Sequence, residues 1–526
     1  MADTDRPMGT ANGGPRLGNG QSDFFRGEPV GFAPPDVRSD RIGVVDVGSN
    51  SVRMVVFDGP SRTPAVLFNE KVMCGLGSEL QETGRLSAAG VERALAALTR
   101  FSALAPQMRV GALAGIATAA VRDAADGPEF VTEVERRTGI RLRVATGSEE
   151  AELAAKGVLF GNPQAEGVVV DLGGASLEFC RLRNGQPETG LTTPLGPLRL
   201  GRRATKGADI DRDIRAYLGT LSEEWRLEGG VLHLVGGAFR ALARAQMIRT
   251  RYPLEVLHEY ELSAAHAAAL GRWATEAKAD DLAELRISAA RRANLPFTGR
   301  LLTHLVRALG PGVVRISAFG LREGVCLETM AAGLRDADAL LAGAREQERR
   351  RARAHGFGDE LADWLVALFQ PGDPADERLM RTAALLADVN WRTHPDYRAS
   401  SCWETVTRVT LTDISHRGRV FVGAALVARY KSGRKGIDPV PAMALLTEAE
   451  QERAVQLGLA LRLGSVLSGS APGVLAYAPA SLGPDGLSLT LNGPAGPFAG
   501  EEVDKRAAAL ARALGCGWRI DTSGIR

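Results

Sequence analysis

One phrase of the sequence occurs twice, and this repetition limits the fold more than any other feature of the chain. The first copy, DVGSNSVRM, begins at Asp46, and the second, DLGGASLEF, begins at Asp171. In each copy an apolar run ends in aspartate, a turn of small residues follows, and a second apolar run returns. The pattern predicts two strand–turn–strand units, one in each half of a duplicated α/β domain.

The two turns suit a phosphate group. Small residues let backbone N–H groups approach an anion closely, and successive N–H groups form an anion-binding nest. The aspartate beside each turn can hold Mg²⁺ directly or through water. A single copy is explained as well by an ordinary hairpin whose polar residues stabilise the turn. Two copies in register favour phosphate binding by Gly48, Ser49, Asn50, Ser51, Gly173, Gly174, Ala175 and Ser176, with Asp46 and Asp171 as the metal residues.

One position distinguishes the two copies, because Arg53 of the first is replaced by Glu178 in the second. Side chains alternate along a strand, so Ser176 and Glu178 are predicted to share a face. A carboxylate beside the phosphate turn would repel phosphate unless it serves a metal or a water molecule. A solvated strand residue explains Glu178 equally well at this point.

A third glycine turn occurs in LHLVGGAFRALAR, where Gly236 and Gly237 follow an apolar run and open a helix. A helix N-terminus preceded by glycines is a ready phosphate site. The same pattern is common in turns that serve only packing, and its position after a predicted strand is what favours phosphate.

Elsewhere, short β-type runs alternate with helical patterns, which predicts α/β layers. Residues 1–40 are rich in Gly, Pro, Asp and Arg and are predicted to be a disordered tail. After Gly324 the pattern is almost wholly helical, apart from a late β-hairpin before a helix at 501–514, and we place a domain boundary near 335–350. The strand candidates are 42–47, 52–58, 110–116, 141–145, 167–171, 176–182, 231–235 and 313–317, and a helix at 87–104 has Ser87 as its predicted N-cap.

Bulk properties indicate a cytoplasmic globular protein. The chain has 526 residues, of which 45% are hydrophobic and 24% charged, and its formal charge is only +2. This balance predicts neither nucleic acid nor a membrane surface as a partner. Five separated cysteines without a CxxC pair indicate free thiols. No signal pattern or membrane-length apolar run is found in the sequence.

Three further motifs make the pattern specific: GIATAAVRDA at 115–124, VATGSEEAELAAKG at 144–157 and ISAFGLREG at 316–324. Together with the repeated phrase, they resemble the exopolyphosphatase and guanosine pentaphosphate phosphohydrolase family over residues 41–330. This family lies in the actin-like phosphatase superfamily. The resemblance implies an α/β fold of duplicated actin-like (ribonuclease H-like) halves at 41–165 and 166–335. A mainly helical, degenerate HD-like domain with a small α/β end would follow at 336–526.

The resemblance also implies roles for individual residues. Glu150 matches the catalytic carboxylate and Glu178 the acid after the second phosphate turn. Arg122 matches a phosphate-holding arginine, with Thr118 nearby, while Asp46 and Asp171 match magnesium-site residues. Without the resemblance, SEEAEL is an ordinary acidic helix start with Ser148 as its predicted N-cap, and Arg122 is a surface arginine paired with Asp123. Ala175 replaces a glycine of many family members and preserves the turn unless that position needs a positive φ.

The C-terminal half carries weaker signals. The His-Asp pair expected of a metal-dependent HD domain is Ala387-Asp388 here, so a second metal centre is not predicted. Asp388, His394 and His416 are interpreted as polar packing or partner contacts. The arginine-rich run at 345–356 is interpreted as a solvated helix face or linker, with a channel for an extended polyanion as the alternative.

These features predict a Mg²⁺-dependent exopolyphosphatase that removes terminal phosphate from inorganic polyphosphate. The alternatives are a guanosine pentaphosphate 5′-phosphohydrolase and a non-catalytic sensor that binds the guanosine alarmone. A sugar-kinase-like phosphotransferase would need a sugar-binding acid and an adenosine pocket that we do not recognise. A homodimer through the helical half is implied by resemblance only.

Overall fold

The computed structural model describes residues 40–59, 61–203, 207–221, 223–285, 287–431, 437 and 440–522. The predicted tail at 1–40 lies outside these residues, apart from Asp40. Within the described residues, no helix combines the length and apolar character needed to cross a bilayer. The five cysteines are free, as the sequence predicts.

The first lobe consists of a sheet with helices packed on it. This sheet has five strands among the residues that the structure describes. The strand order is β3-β2-β1-β4-β5; β1 and β3 pair with β2 antiparallel, whereas β4 pairs with β1 and β5 parallel. Its elements are β1 (Arg41–Val47), β2 (Ser51–Phe57), β3 (Val66–Met73), α1 (Leu80–Thr83), α2 (Ala88–Gln107), β4 (Val110–Ala117), α3 (Ala119–Asp123), α4 (Gly127–Thr138), β5 (Leu142–Val144) and α5 (Gly147–Gly161).

The second lobe repeats this plan with additions. Its elements are β6 (Gly167–Leu172), β7 (Leu177–Arg183), β8 (Gln186–Pro187), β9 (Leu191–Thr193), α6 (Pro197–Arg203), α7 (Gly207–Leu218), β10 (Val231–Val235), α8 (Gly237–Arg249), β11 (Tyr260–Ser263), α9 (Ala264–Glu276), α10 (Ala279–Ala283), α11 (Ala289–Arg292), α12 (Leu295–Leu309), β12 (Val313–Ile316), α13 (Leu321–Glu328) and α14 (Ala332–Arg335). The sheet order is β11-β12-β10-β6-β7-β8, with β9 also paired to β7.

Both sheets share one core order, in which a hairpin (β1–β2 or β6–β7) is followed by parallel strands on the side of its first strand. This shared order confirms the predicted duplication of actin-like halves. The buried first strands are apolar runs, as expected for strands covered on both faces.

The C-terminal part is mainly helical, as predicted, and ends in a small sheet of order β13-β14-β15. Its own apolar core is drawn almost entirely from residues after 339. Its elements are α15 (Ala339–Arg351), α16 (Phe357–Phe369), α17 (Pro374–Leu385), α18 (Arg398–Arg408), α19 (His416–Tyr430), α20 (Glu448–Ser468), β13 (Ala480–Gly483), β14 (Gly486–Thr490), α21 (Glu501–Leu514) and β15 (Trp518–Asp521).

Two predicted helix caps differ from the structure. Helix α2 does begin after Ser87, but the Ser87 hydroxyl donates to Glu79 at 2.9 Å and caps no backbone N–H. Helix α5 begins earlier than predicted, and its N-cap is Thr146, whose hydroxyl accepts from the backbone N–H of Glu149. Ser148 instead donates to Glu152 at 2.9 Å. In both cases a nearby carboxylate is the partner of the serine hydroxyl.

Candidate active site

The two repeated phrases form the same turn in both lobes. The backbone N–H of Gly48 donates to Ser51 at 3.0 Å, and that of Gly173 donates to Ser176 at 3.1 Å. The turns also lie against each other, because a Cβ on Gly174 would be 3.5 Å from the Cβ of Ser49. Ala175 is not in a left-handed conformation, so it fits where many family members have glycine. The predicted phosphate turns are therefore brought together across the two lobes.

The third glycine turn, at Gly236 and Gly237, lies at the same site. Strand β10 pairs with β6, so that Val235 lies opposite Asp171. Gly236, with a φ of 107°, is the N-cap of α8, and a Cβ there would be 3.0 Å from Oδ1 of Asp171. Only glycine permits this close approach with this backbone conformation. Gly237 opens the helix beside it.

Glu150 lies in the first turn of α5, where the helix dipole and capping box favour acidic residues. Arg122, near the end of α3, donates from Nη1 to Oε2 of Glu150 at 3.2 Å and to the carbonyl of Ala145 at 3.0 Å. Its Nε also donates to Asp123 at 3.2 Å, so the pairing expected of a surface arginine exists beside the contact with Glu150. Thr118, the N-cap of α3, is buried near the first phosphate turn.

Glu178 is buried, with 2% of its surface exposed, which rules out the solvated strand residue considered from the sequence. It accepts a hydrogen bond from Thr192 Oγ1 at 3.3 Å and one from Ser176, with which it shares a strand face. Cross-strand pairing places it opposite Asp171 in β6. The second carboxylate thus lies beside the second phosphate turn.

The site carboxylates oppose one another's ionisation. Burial, followed by the charges of Glu150 and Asp171, raises the pKa of Glu178 well above its usual value. Burial also raises the pKa of Glu150 to about 7, against the lowering effect of Arg122. The pKa of Asp171 is raised to about 6, again mainly by burial. Raised carboxyl pKa values of this kind are typical of functional sites.

Several cations at the site were missed by the sequence interpretation. Arg322 of α13 donates from Nη1 to Asp46 at 2.9 Å, while its buried Nε has no partner among the described residues. Arg240 of α8 carries a charge that lowers the pKa of Asp171, and its Nη1 lies 3.4 Å from the carbonyls of Ser317 and Ala318. Arg322 lies within the motif ISAFGLREG, which is the sequence signal that could have identified it.

Strand register adds two more cations on the first lobe. Asp46 of β1 lies opposite Arg53 of β2, and Arg53 lies opposite Lys71 of β3. Directly opposed residues point to the same face of a sheet, so the three side chains form a row. Lys71 lies in a segment that carried no signal in the sequence.

The donor chemistry of the site fits a magnesium ion. No group of three His, Cys, Asp or Glu side chains that could hold a metal is found in the part of the chain that the structure describes. Mg²⁺, however, is usually bound by one or two carboxylates together with water and substrate phosphate. Asp171 lies opposite Glu178 across the strand pair, and Asp46 has one oxygen bonded to Arg322. Asp46 and Asp171 are therefore the residues whose carboxylate oxygens would hold such an ion.

The polar candidates of the C-terminal half lie outside the candidate site. Arg353 binds both carboxylate oxygens of Asp388, at 2.7 and 2.8 Å, which agrees with polar packing. His416 contacts Tyr252 at 2.9 Å and the carbonyl of His258 at 3.0 Å. His394 is exposed and accepts from the backbone N–H of Asp396 at 3.4 Å.

Two family models match the sequence, and curated proteins are similar to part of it. Residues 55–332 match the model of the Ppx/GppA phosphatase family, and residues 340–520 match the exopolyphosphatase C-terminal model. Exopolyphosphatase 1 of Mycobacterium tuberculosis is 28% identical over 309 residues, covering 55% of this chain and 88% of that protein. The Mycobacterium leprae protein of that name is also 28% identical, over 311 residues, with 55% and 89% covered.

The chain is also similar to solved structures, at lower identity. The Aquifex aeolicus Ppx/GppA protein is 22% identical, with a TM-score of 0.48 and coverage of 54% of this chain and 96% of that one. An exopolyphosphatase from Cytophaga hutchinsonii is 22% identical, with a TM-score of 0.49 and the same coverage. Since the first family model alone spans just over half of the sequence, the chain belongs to the Ppx/GppA phosphatase family.

Proposed function

We propose that the protein is an exopolyphosphatase, which hydrolyses the terminal phosphoanhydride of inorganic polyphosphate. The observation that supports this most is the position of Glu150, a buried carboxyl with a pKa of about 7 that contacts Arg122 close to two phosphate turns. A base is most effective when its pKa is close to the operating pH.

In the proposed reaction, Glu150 accepts a proton from water as the water oxygen bonds to the terminal phosphorus. The bond from that phosphorus to the bridging oxygen breaks, so the products are inorganic phosphate and a chain shorter by one unit. Burial and the neighbouring carboxylates raise the pKa of Glu178, which favours its protonated form, and two neighbouring acids in different environments can divide the roles of base and proton holder.

The substrate would be held by the chain's own groups. The turns at Gly48–Ser51 and Gly173–Ser176, together with Gly236 and Gly237, supply backbone N–H groups, and Arg122 supplies a planar guanidinium. Mg²⁺, when bound by Asp46 and Asp171, would neutralise charge that develops on phosphate oxygens. The row formed by Arg53 and Lys71 favours a polyanion that continues beyond the cleaved bond.

The domain division, the homodimer and the cellular location are further proposals. The division into lobes at 41–165 and 166–335 and a domain at 336–526 is supported by three apolar cores, one in each unit, while a fourth apolar cluster is shared by the two lobes. The homodimer and the cytoplasmic location remain predictions from resemblance and composition.

The proposal is tested by phosphate release from purified protein with Mg²⁺, using long-chain polyphosphate and guanosine pentaphosphate in separate assays. We expect release from the polymer that is lost when Mg²⁺ is chelated. Glu150→Ala should lower kcat by about 10²–10⁴-fold, the usual contribution of a general base. Glu152→Ala is the matched control, since Glu152 lies two residues further along α5 on another side of the helix, where it accepts a hydrogen bond from Ser148 at 2.9 Å.

The other outcomes discriminate among the alternatives. Release only from guanosine pentaphosphate would replace the polymer by the nucleotide as substrate. Tight alarmone binding without release from either compound would favour the sensor and contradict both enzymatic functions.

A further inference from the structure

The carboxyl-terminal end of α5, opposite Glu150, is held from outside the helix. The last carbonyls of a helix have no partners within it and need other donors. The carbonyl of Val158 accepts from the backbone N–H of Asn162 at 2.8 Å, as a regular helix end would. The next three accept from sequence-remote groups: Leu159 from Arg62 Nη2 at 3.2 Å, Phe160 from Arg62 Nη1 at 2.9 Å, and Gly161 from Asp413 N at 2.6 Å and from His258 Nε2 at 3.3 Å.

Arg62 is the centre of this arrangement, which we call the α5 clamp (Arg62, His258 and Asp413). Only 1% of Arg62 is exposed, and its guanidinium is bonded to backbone carbonyls. Besides the two carbonyls of α5, its Nε donates to the carbonyl of Arg335 at 3.1 Å, at the end of α14. A buried charge is costly unless its donors are satisfied, so this position specifies arginine closely.

The C-terminal domain supplies another part of the clamp. Asp413 lies between α18 and α19 in a left-handed conformation, with a φ of 55°. Arg378 holds it there by donating from Nη1 to the Asp413 carbonyl at 2.8 Å and by pairing with its carboxylate. His416 of α19 contacts the carbonyl of His258 at 3.0 Å. The end of α5 is therefore fixed jointly by both lobes and the C-terminal domain.

A stiff helix transmits this restraint to the site. Eleven residues separate Gly161 from Glu150, which corresponds to about 16 Å along the axis. Along this length α5 packs directly against α13, since a Cβ on Gly157 would lie 2.1 Å from the carbonyl of Gly320. The contact leaves the helix little freedom to shift at one end alone.

We propose that Arg62 is a positioning residue for Glu150, and that the C-terminal domain takes part in holding the catalytic helix in place through the α5 clamp. The inference rests on the proposed function only in assigning Glu150 to the reaction. A displacement of about 1 Å at a reacting group can lower the rate by about 10²-fold, so a distant clamp can govern kcat.

The test compares Arg62→Met with Arg398→Met. Arg398 also donates to two backbone carbonyls, those of Thr393 and Trp391, both at 2.9 Å, and these lie in the C-terminal domain outside the α5 clamp. Amide hydrogen exchange over residues 147–161 and the kcat and KM for phosphate release are measured for both. For Arg62→Met we expect faster exchange along α5, including the turn of Glu150, and a kcat lowered by about tenfold or more with KM nearly unchanged.

Arg398→Met should change neither quantity. Unchanged kcat in Arg62→Met, or faster exchange confined to the last turn of α5, would overturn the inference. If Arg62→Met does not fold, Arg62→Lys, which keeps the charge with fewer donors, should give the same changes to a smaller extent. Absence of phosphate release by the unmodified protein would refute the proposed function, whereas exchange at the Glu150 turn would still decide whether the clamp acts there.

Discussion

At the scale of single residues, the site is governed by the competition between burial and charge at Glu150. Burial, Asp171 and Asp46 favour its neutral form, while Arg122 favours the ionised form. The balance leaves a pKa of about 7, far above the ordinary value of 4.5. Burying a carboxyl group normally lowers the stability of the folded protein. Such a loss of stability is expected where function requires the buried group.

The rate of phosphate release is expected to rise with pH through about 7. The pKa of Glu150 is raised, so below this value the carboxyl holds its proton and cannot accept another from water. Initial rates under saturating substrate, measured from about pH 5 to about pH 9, check this expectation. A rate that is constant through this range would contradict the role of Glu150 as base, and Glu152→Gln should leave the profile unchanged.

Many of the candidate site residues could be predicted from the sequence, because phosphate binding restricts which residue types can serve at a site. Gly236 stands at a turn with a φ of 107°, where a Cβ would lie 2.7 Å from the carbonyl oxygen of Leu172, whereas a Cβ on Gly48 or Gly173 would make only ordinary contacts. Arg322 and Lys71 were not predicted, because an arginine in a helix and a lysine in an edge strand have many equally good explanations. Only their neighbours in space distinguish them.

At the scale of elements, the crossing of α5 and α13 brings two parts of the site together. A Cβ on Gly324 would lie 1.9 Å from the carbonyl of Leu153, so the helix backbones are in direct contact there. Glu150 stands in the first turn of α5 and Arg322 in the first turn of α13. The glycines therefore set the separation of helices that carry an acid and a cation of the site.

Gly157→Ala is expected to destabilise the protein by about 1–3 kcal/mol, the usual cost of inserting a methyl group into a close-packed contact. Urea unfolding followed by circular dichroism measures the change. Gly333→Ala is the control, since a Cβ at this exposed position in α14 would meet nothing within 4 Å. Alanine there should be neutral or stabilising by up to about 1 kcal/mol. Equal stability of Gly157→Ala and the unmodified protein would show that the crossing can relax.

Element prediction succeeded where one strong pattern was present. The predicted strands of both sheets are found, within a residue or two at each end, because buried strands are long apolar runs. Strands β3, β8, β9 and β11 were missed, of which β8 and β9 have only two and three residues. β3 alternates exposed and half-buried residues at a sheet edge, and β11 has only four residues, so neither carries a distinctive apolar run.

At the scale of the whole molecule, the two lobes meet at the candidate site, where cations lie beside the carboxylates. Arg53 and Lys71 come from one lobe, while Arg240 and Arg322 come from the other. Adjacent strands lie about 4.8 Å apart, so the row from Asp46 to Lys71 extends about 10 Å from the metal residues. This arrangement suits a substrate that carries several phosphates.

Lys71→Ala is expected to raise the KM for long-chain polyphosphate by about fivefold, which corresponds to about 1 kcal/mol for one accessible ion pair. The KM for tripolyphosphate should change by less than about twofold, because a short chain has fewer phosphates to place along the row. Steady-state kinetics with both substrates measures the difference. Lys505→Ala, which removes a lysine paired with Glu502 in the C-terminal part, is the control. An equal effect on both substrates would contradict the extended row.

The arginine-rich run at 345–356 belongs to the packing of the molecule. Arg345 pairs with Asp359, Arg350 with Asp58 of the first lobe, and Arg353 with Asp388. Arg349 pairs with Glu346 in the same helix. These pairs agree with a helix face that joins domains, and they leave little free charge for a polyanion channel.

The duplicated α/β plan, the two strand–turn–strand phrases and the helical C-terminal part follow from the amino-acid sequence alone. These features depend on local patterns: apolar periodicity, small residues at turns, and acids beside them. The tertiary structure decided which cations reach Asp46 and Asp171, how far the carboxyl pKa values rise, and what holds the far end of α5. These properties depend on distances between segments that are far apart in the sequence. Arg62 and Arg335, for example, are 273 residues apart along the chain and are joined by a hydrogen bond. No local pattern encodes such distances, because they arise only when the lobes and the C-terminal domain pack together.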